Sequence, residues 1–132
     1  MLLVKHFVSV SPIHNLGLFT EGPIRKGQEV WRFEPDYDVE IPAAMLADLE
    51  ADCREMVRDC AEYFADRDVY RLGNDGDIFM NHSDQPSLLD LGDRMIAAWD
   101  VAAGEELTCD YRTVHVAGYH PPPILGPVHE PT

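Results

Sequence analysis

The sequence predicts a single, mainly β domain with one or two helices. A chain of 132 residues is the usual size of one domain. Several short apolar stretches predict strands, and turn signals such as Gly27, Gly73-Asn74 and Gly104 lie between them. Only the stretch that follows Pro42 repeats its apolar residues at helical spacing. We therefore expect several short strands and one small helical segment.

The chain is strongly acidic. Its 24 acidic and 10 basic residues give a net charge of −14. Such a charge argues against an electrostatic nucleic-acid interface, because a phosphate backbone is bound by basic side chains. It favours attraction of a basic protein, although solubility alone would also explain it.

The cysteines and the N-terminus predict a soluble, cytoplasmic protein (nuclear or chromatin-associated if the source is eukaryotic). Cys53, Cys60 and Cys109 form neither an even framework nor a C-x-x-C pair, which favours a reducing compartment. Lys5 and His6 interrupt the first apolar run before a signal sequence could form. No apolar run approaches the roughly 20 residues of a membrane span, so we expect no membrane contact.

The first part of the chain predicts two strands. Leu2 to Val10 alternate with period two and precede a Ser-Pro stop. Gly17 lies between apolar residues, which indicates a turn or a close backbone approach. Residues 23–33 predict a turn followed by a strand, and a similar unit recurs at residues 100–107. The repeat is either a duplicated hairpin-like piece or one turn solution used twice.

Residues 34–68 form an acidic insert. Its 12 acidic and three basic residues give a net charge of −9. Pro42 is suited to the first turn of a helix. The apolar residues of this segment predict a helix face packed on the core, with the acids on the opposite face; they are Met45, Leu46, Leu49, Cys53, Met56, Val57, Cys60, Tyr63 and Phe64. The acidic face is either merely solvated or attracts a basic substrate.

The last elements surround two polar motifs. Residues 73–76 carry strong turn signals. Ile78 to Met80 predict a strand that runs into the polar turn Asn81-His82-Ser83. Leu88 to Trp99 predict a strand pair, and Gly104 to Tyr111 predict a turn and a strand that ends at Asp110-Tyr111.

These two motifs, in this order and about 20 residues apart, resemble the two signature motifs of the SET domain, the protein-lysine methyltransferase family. The family patterns are approximately R-F-x-N-H-S-C-x-P-N and G-E-E-L-T-x-D-Y, matched here by residues 78–87 and 104–111. Residues 15–20 are similar to the family's opening segment, G-x-G-[LV]-F-A. Asn15 replaces the first glycine, and asparagine tolerates positive φ better than most residues.

The resemblance implies a SET-domain (β-clip-like) fold, with several short sheets and a knot-like C-terminal crossing that brings Asn81-His82 beside Tyr111. It implies S-adenosylmethionine as cofactor and lysine methylation of a basic protein, such as a histone or histone-like protein, as the function. Tyr111 would be the catalytic tyrosine and Asp110 a turn-orienting residue. The cofactor would be bound by five residues, namely Leu16, Gly17, Leu18, Asn81 and His82.

The resemblance also assigns a substrate channel. Cys109 stands where the family usually has an aromatic residue, so we expect a roomier channel that favours multiple methylation. Tyr119 is expected to cover the lysine channel or the adenine. Asp84 and Ser87 also depart from the family pattern. We place the domain at residues 1–118 and a proline-rich tail at 119–132, where no zinc-binding cysteine cluster follows Cys109 and no metal site is expected.

The departures at Asn15, Asp84 and Cys109 motivate a rival interpretation. In it, the chain is a catalytically inactive module that keeps the fold and binds a basic protein. Methylation of a small molecule or a non-histone protein is also left open, as is a homodimer that completes the groove. The eight arginines against two lysines favour a GC-rich genome, such as that of a bacterium, as the source.

Overall fold

The computed structural model describes residues 1–113. Within this part of the chain the architecture is mainly β, as the sequence predicts. The strands, in chain order, are β1 (His6–Val10), β2 (Leu16–Thr20), β3 (Glu29–Arg32), β4 (Val39–Pro42), β5 (Glu62–Phe64), β6 (Val69–Leu72), β7 (Asn81–His82), β8 (Leu88–Asp90), β9 (Arg94–Ala97) and β10 (Glu106–Cys109). The helices are α1 (Ala43–Leu46), α2 (Ala51–Cys60) and a single 3-10 helix, Gly76–Phe79.

The strands of residues 1–113 form three small sheets. The orders are β1-β2-β10-β7, β3-β9-β8 and β4-β6-β5. In the first sheet, β10 pairs antiparallel with β2 and parallel with β7. The last described strand therefore lies between one of the first strands and the strand that carries Asn81-His82. The remainder of the predicted C-terminal crossing, together with the proline-rich tail, lies outside the described residues.

The hydrophobic core lies between the first two sheets. Leu18 and Leu107, paired across β2 and β10, have no exposed surface. Burial of large aliphatic side chains of this kind supplies most of the driving force for folding. The core residues are Leu2, Leu18, Ile24, Val30, Trp31, Met80, Leu88, Met95, Ala97, Val101, Leu107 and Cys109.

The two repeated turn units adopt the same conformation. Gly27 and Gly104 have φ of 81° and 82°, a region in which glycine meets no steric penalty. The two units also pair with each other, because Ile24 and Val101 exchange backbone hydrogen bonds of 2.9 and 2.8 Å. The two units thus share a turn conformation and lie in contact with each other.

The predicted strand pair near residues 88–99 is confirmed by β8 and β9. The prediction for Ile78 to Met80 is wrong, because Ile78 and Phe79 belong to the 3-10 helix. Asp75 starts this helix by accepting a hydrogen bond of 3.1 Å from the amide of Asp77, which is ordinary N-cap chemistry. Both apolar side chains remain substantially exposed, so they do not form a core strand.

The insert also differs from the prediction. Its helical segment is broken into two helices, and Tyr63 and Phe64 lie in strand β5, paired with β6. Pro42 is the N-cap of α1 rather than a first-turn residue. The apolar stripe does not face the core: of the two helices only Leu46 is buried, and Met56 is 66% exposed. Neither helix of residues 1–113 is long and apolar enough to cross a membrane.

Candidate active site

Strands β7 and β10 bring the two polar motifs together. Their parallel pairing places Asn81 opposite Thr108 and His82 opposite Cys109. The amide of Ser83 continues the pairing by donating to the carbonyl of Cys109 over 3.0 Å. Tyr111 therefore leaves β10 beside His82, as the sequence analysis expected.

Tyr111 is held at both its backbone and its side chain. Its hydroxyl donates to the carbonyl of Met80 over 2.6 Å. Its backbone amide donates to Nδ1 of His82 over 3.1 Å, and the two rings are 5.5 Å apart. The phenol oxygen and a carbonyl oxygen consequently lie side by side in a fixed geometry.

The contacts of His82 define its tautomer. Because the Tyr111 amide can only donate, Nδ1 accepts and the proton of the neutral ring lies on Nε2. Nε2 in turn lies 3.0 Å from Oδ1 of Asp84. His82 is buried, and these two contacts make it a positioning residue for Tyr111.

Asp84 and Asp110 complete this support. Arg112 bonds to Oδ1 of Asp84 over 3.1 Å and to Oδ2 of Asp110 over 2.8 Å. Arg112 holds the pKa of Asp110 below its ordinary value, chiefly through this side-chain hydrogen bond. Asp110 thus orients the turn, as expected, and the departure at Asp84 supplies a partner for His82.

The side chain of Asn81 anchors the opening loop. Its Nδ2 lies 3.2 Å from the carbonyl of His14 and 3.1 Å from that of Leu16. Oγ of Ser11 and a carboxylate oxygen of Glu106 lie 3.2 and 3.0 Å from the same nitrogen. Asn15 has φ of 35°, so the replacement of glycine is accommodated by the left-handed conformation that asparagine tolerates.

Gly17 allows the close approach that the sequence indicated. A Cβ at this position would lie 2.9 Å from Cβ of Ser11 and closer still to the carboxylate of Glu106. Glu106 also accepts from the Ser11 hydroxyl over 2.9 Å. The glycine therefore makes room for a polar cluster that joins the loop to β10.

The other predicted cofactor contacts separate into two groups. Leu16 is 43% exposed, begins β2 and bonds through its carbonyl to the side chain of Asn81. Leu18 has no exposed surface. It lies in β2, which pairs with β1 on one side and β10 on the other, and its side chain is part of the hydrophobic core. A cofactor contact stays a prediction for Leu16, Gly17, Asn81 and the backbone of His82.

A cavity of about 150 Å³ opens beside Tyr111. Cys109, which is 4% exposed, lines it. Multiple methylation stays a prediction, and Tyr119, the other predicted channel residue, lies outside the described residues. The remaining lining comes from the core, the insert and the 3-10 helix, and comprises Trp31, Asp59, Cys60, Glu62, Arg71, Gly73, Asp77, Ile78, Met80 and Met95.

The cavity contains ionisable groups with displaced pKa values. Burial raises the pKa of Glu62 to about 8, although the nearby Arg71 charge opposes the rise. Burial and the neighbouring Asp75 raise the pKa of Asp77 to about 7. Burial also raises the pKa of the Cys109 thiol, so this cysteine stays protonated and is a poor nucleophile at neutral pH.

Sequence reasoning missed several residues of the site. Ser11 and Glu106 anchor Asn81, but they are far apart in the chain and carry no pattern that links them. Glu62 was counted only among the acids of the insert, and Asp77 was not singled out. The one available sequence signal for Glu62 was its position directly before two aromatic residues, Tyr63 and Phe64.

Ser87, the remaining departure from the family motif, is structurally accounted for. It is 1% exposed. Its amide donates to Oγ1 of Thr108 over 3.0 Å, and its hydroxyl accepts from the amide of Thr108 over 2.9 Å. Ser87 thereby connects the segment that precedes β8 with strand β10.

Among residues 1–113, no group of three histidine, cysteine or acidic side chains is arranged to hold a metal ion.

The fold and site together define a small β-rich domain in which two polar motifs meet around a tyrosine and a cavity. The SET domain family model matches residues 15–112. The chain therefore belongs to the SET domain family.

Solved structures agree at the level of fold. A candidate histone methyltransferase of Plasmodium falciparum is 17% identical with a TM-score of 0.57, over 82% of this chain and 93% of that one. A humanized mutant of the Chaetomium thermophilum Polycomb Repressive Complex 2, bound to the inhibitor GSK126, is 20% identical with a TM-score of 0.61. The apo form of this complex with two mutations in Ezh2 is 18% identical with a TM-score of 0.65.

The two complex structures differ in extent from the Plasmodium protein. The chain covers 82% of its own length in each comparison but spans only 15% of those longer chains. The search of curated proteins finds no match. Identities of this size establish the fold alone.

Proposed function

We propose that this SET domain is an S-adenosylmethionine-dependent protein-lysine N-methyltransferase that acts on a basic protein. The observation that carries the proposal is the pair of oxygens formed by the Tyr111 hydroxyl and the Met80 carbonyl, 2.6 Å apart beside the cavity. Supporting it are the family membership and the positions of Asn81 and His82.

The paired oxygens suit the chemistry of methyl transfer to an amine. When bound, S-adenosylmethionine supplies an electrophilic methyl group on a cationic sulfur. Oxygens around a polarised methyl make weak C–H···O contacts that favour its partial positive charge. The narrow cavity orients the attacking amine, and burial lowers the pKa of a lysine and so favours the neutral, nucleophilic form.

The residues next to Asn81 fit a cofactor site. The Asn81 amide fixes the carbonyls of His14 and Leu16, and Leu16 remains exposed at the edge of the sheet. This leaves a rigid loop with an apolar side chain facing solvent, suited to an adenine or an amino-acid moiety. Leu16, Gly17, Asn81 and the backbone of His82 are the residues that would hold the cofactor.

The departures from the family motifs give little support to the rival interpretation, a catalytically inactive module. Asn15 adopts the required positive φ, and Asp84 bonds to His82. Cys109 and Tyr111 line the same cavity. The departures from the family motifs thus have structural partners, which favours a functioning site over a decayed one.

Removing the Tyr111 hydroxyl tests the proposal. We expect Tyr111→Phe to lower methyl transfer by at least about a hundredfold, because electrostatic stabilisation of the transition state is commonly worth that much. The measurement incubates wild type and variant with radiolabelled S-adenosylmethionine and a panel of histones and basic bacterial proteins, then locates the label by mass spectrometry.

Cofactor binding by calorimetry is the control. Wild-type binding without label on any panel protein would point to a substrate outside the panel, whereas neither binding nor label would support the inactive module. Label that persists at the wild-type rate in Tyr111→Phe would contradict the assigned role of Tyr111.

A further inference from the structure

The cavity beside Tyr111 contains more charged groups than methyl transfer by tyrosine and carbonyl oxygens requires. We propose that the carboxyls of Glu62 and Asp77 form an amine receptor, which binds the protonated amine of the substrate and accepts its proton before the neutral amine reacts. This inference rests on the proposed function and specifies how that site takes up its substrate.

Both carboxyls come from elements outside the two family motifs. Glu62 begins β5 in the insert, and Asp77 lies in the 3-10 helix. They line the same cavity as Tyr111 and Cys109. An amine that enters this cavity therefore meets both carboxyls and the tyrosine within one small space.

Asp77 presents an acceptor that has no hydrogen-bond partner in residues 1–113. Its Oδ2 accepts from the indole nitrogen of Trp31 over 2.9 Å, but its buried Oδ1 has none. Gly73 permits this position, because a Cβ there would occupy the space of the Asp77 carboxyl. A buried acceptor without a partner costs free energy, and an N–H donor from a ligand would recover it.

Arg71 supplies a fixed positive charge at the wall of the cavity. It is 3% exposed and lies between the rings of Phe33 and Phe64, 4.0 and 4.3 Å from their centroids. It bonds to Glu40 and Asp93, yet its buried Nη1 has no partner in the described part of the chain. The same guanidinium lines the cavity. Such a fixed positive charge favours the ionised form of a nearby carboxyl.

Among the described residues, the acidic side chains that line the cavity outnumber the basic ones. Asp59, Glu62 and Asp77 accompany a single arginine, Arg71, which already pairs with Glu40 and Asp93, so an ammonium group would supply positive charge that the cavity lacks. Without the ammonium, burial keeps protons on the carboxyls, which agrees with the raised pKa values of Glu62 and Asp77. The ionisable groups that influence Glu62 come from several packed elements, namely Asp38, Arg71, Asp77, Asp90 and Cys109.

The proton transfer is balanced within the cavity. An N–H bond of the ammonium breaks and an O–H bond of a carboxylate forms, while the electron pair stays on nitrogen for attack on the methyl group. Acceptors with a pKa near the working pH are effective in such transfers. At about 150 Å³, the cavity exceeds the roughly 30 Å³ share of one water severalfold, so it can hold the end of an alkylammonium chain.

The test uses n-butylammonium chloride as the probe and 1-butanol as its neutral counterpart. The readout is the indole N–H resonance of Trp31 in 15N-labelled protein, which reports on Asp77 through their hydrogen bond. The variant Trp99→Phe assigns the Trp31 resonance, because Trp99 is the other tryptophan of the chain. At constant ionic strength, we expect n-butylammonium to bind at least about tenfold more tightly than 1-butanol.

Two charge-removing variants and one matched control locate the receptor. Glu62→Gln and Asp77→Asn should each weaken n-butylammonium binding about tenfold or more. Glu21→Gln makes the same chemical change at an exposed position outside the insert and should leave binding unchanged. Glu62→Gln should also lower kcat/KM for a methylated protein by about tenfold or more.

Equal affinity for the ammonium and the alcohol, or wild-type affinity in both variants, would overturn the inference. Because probe binding needs neither cofactor nor turnover, its outcome is separable from the proposed function. Selective probe binding without methylation of any protein would overturn only the proposed function. Methylation without probe selectivity would overturn only the amine receptor.

Discussion

His82 connects the two motifs of the site through one ring. One nitrogen accepts from the backbone of Tyr111, and the other lies against Asp84. No acid–base chemistry is required of this residue. Its contribution to the candidate site is the placement of Tyr111, which a side chain with a similarly placed acceptor can partly reproduce.

This role predicts different effects for two substitutions of His82. In His82→Asn the new side chain carries an oxygen near the position of Nδ1 and should keep part of the contact, whereas alanine leaves the part-buried Tyr111 amide without it. We expect His82→Ala to lower the free energy of unfolding by about 2–3 kcal/mol, and His82→Asn by roughly half as much.

Urea unfolding and methyl-transfer rates measure the two effects. The rate should follow the same order, wild type above His82→Asn above His82→Ala. Equal rates in both variants would show that the ring itself, and not the acceptor at Nδ1, supports Tyr111.

Glu62 and Asp77 predict how stability depends on pH. Their folded pKa values, about 8 and about 7, are higher than the ordinary values near 4. The folded chain therefore binds more protons than the unfolded chain between about pH 4 and pH 8, and stability falls as pH rises through this window. At pH 8, Glu62→Gln should raise the free energy of unfolding by about 1–3 kcal/mol relative to wild type.

Urea unfolding of wild type and Glu62→Gln at pH 5 and pH 8 provides the measurement. The difference between the two proteins should shrink towards pH 5, where the wild-type carboxyl is already protonated in the folded state. A difference that is the same at both pH values would contradict a titrating Glu62.

At the scale of elements, the sequence correctly predicted the strands and turns that depend on a pattern of neighbouring residues. The strands β8, β9 and β10 and the paired glycine turns follow from alternation and turn chemistry. The insert was predicted poorly, because Tyr63 and Phe64 continue a helical spacing by coincidence while pairing with β6 as a strand. Spacing alone cannot separate these outcomes over so few residues.

In the candidate site, too, residues in local motifs were predicted and residues joined by long-range contacts were not. Asn81, His82 and Tyr111 were found because their motifs resemble those of a family. Ser11 and Glu106 were missed because their contact joins β10 to a loop 95 residues away in the sequence. Long-range polar pairs of this kind are determined by the packing of the whole chain, and no local sequence pattern indicates them.

The loop before β2 gives a prediction at this scale. In Gly17→Ala the new Cβ would overlap the Glu106 carboxylate and approach Ser11. We expect a loss of about 1–3 kcal/mol in the free energy of unfolding and weaker cofactor binding. Gly22→Ala is the matched control, because nothing lies within 4 Å of the added Cβ.

Thermal unfolding and cofactor calorimetry on both variants would check this prediction. The Gly22 variant should remain within about 0.5 kcal/mol of wild type. If Gly17→Ala behaved in the same way, the close packing of Ser11 and Glu106 against the loop would be refuted.

At the scale of the molecule, the acidic insert is the main asymmetry in the distribution of charge. Part of its charge is structural, because Asp38 is buried and Glu40 binds Arg67 and Arg71. The exposed acids on and before α2 remain as candidates for attracting a basic protein. Interactions between exposed charges are screened by salt, which makes this role measurable.

We expect the double variant Asp48→Lys, Glu55→Lys to weaken binding of a basic peptide severalfold at low salt, with the difference shrinking at high salt. The double variant Glu21→Lys, Asp100→Lys changes net charge equally but at exposed positions outside the insert. Peptide affinity measured by fluorescence anisotropy across a salt series distinguishes the two. Equal weakening by both variants would assign the effect to total charge rather than to the insert.

The position of β10 has a consequence for how the chain is made. Leu107 pairs with Leu18, and Thr108 pairs with Asn81, so the strand that completes the site leaves the ribosome after every other described strand. Contacts between residues distant in sequence form slowly, because loop closure must precede them. A nascent chain that stops before β10 would have no site at all and would leave one edge of β2 open, where another strand could add. The residues of the candidate site and the protection of this sheet edge therefore come together only once the chain has been synthesised through Tyr111.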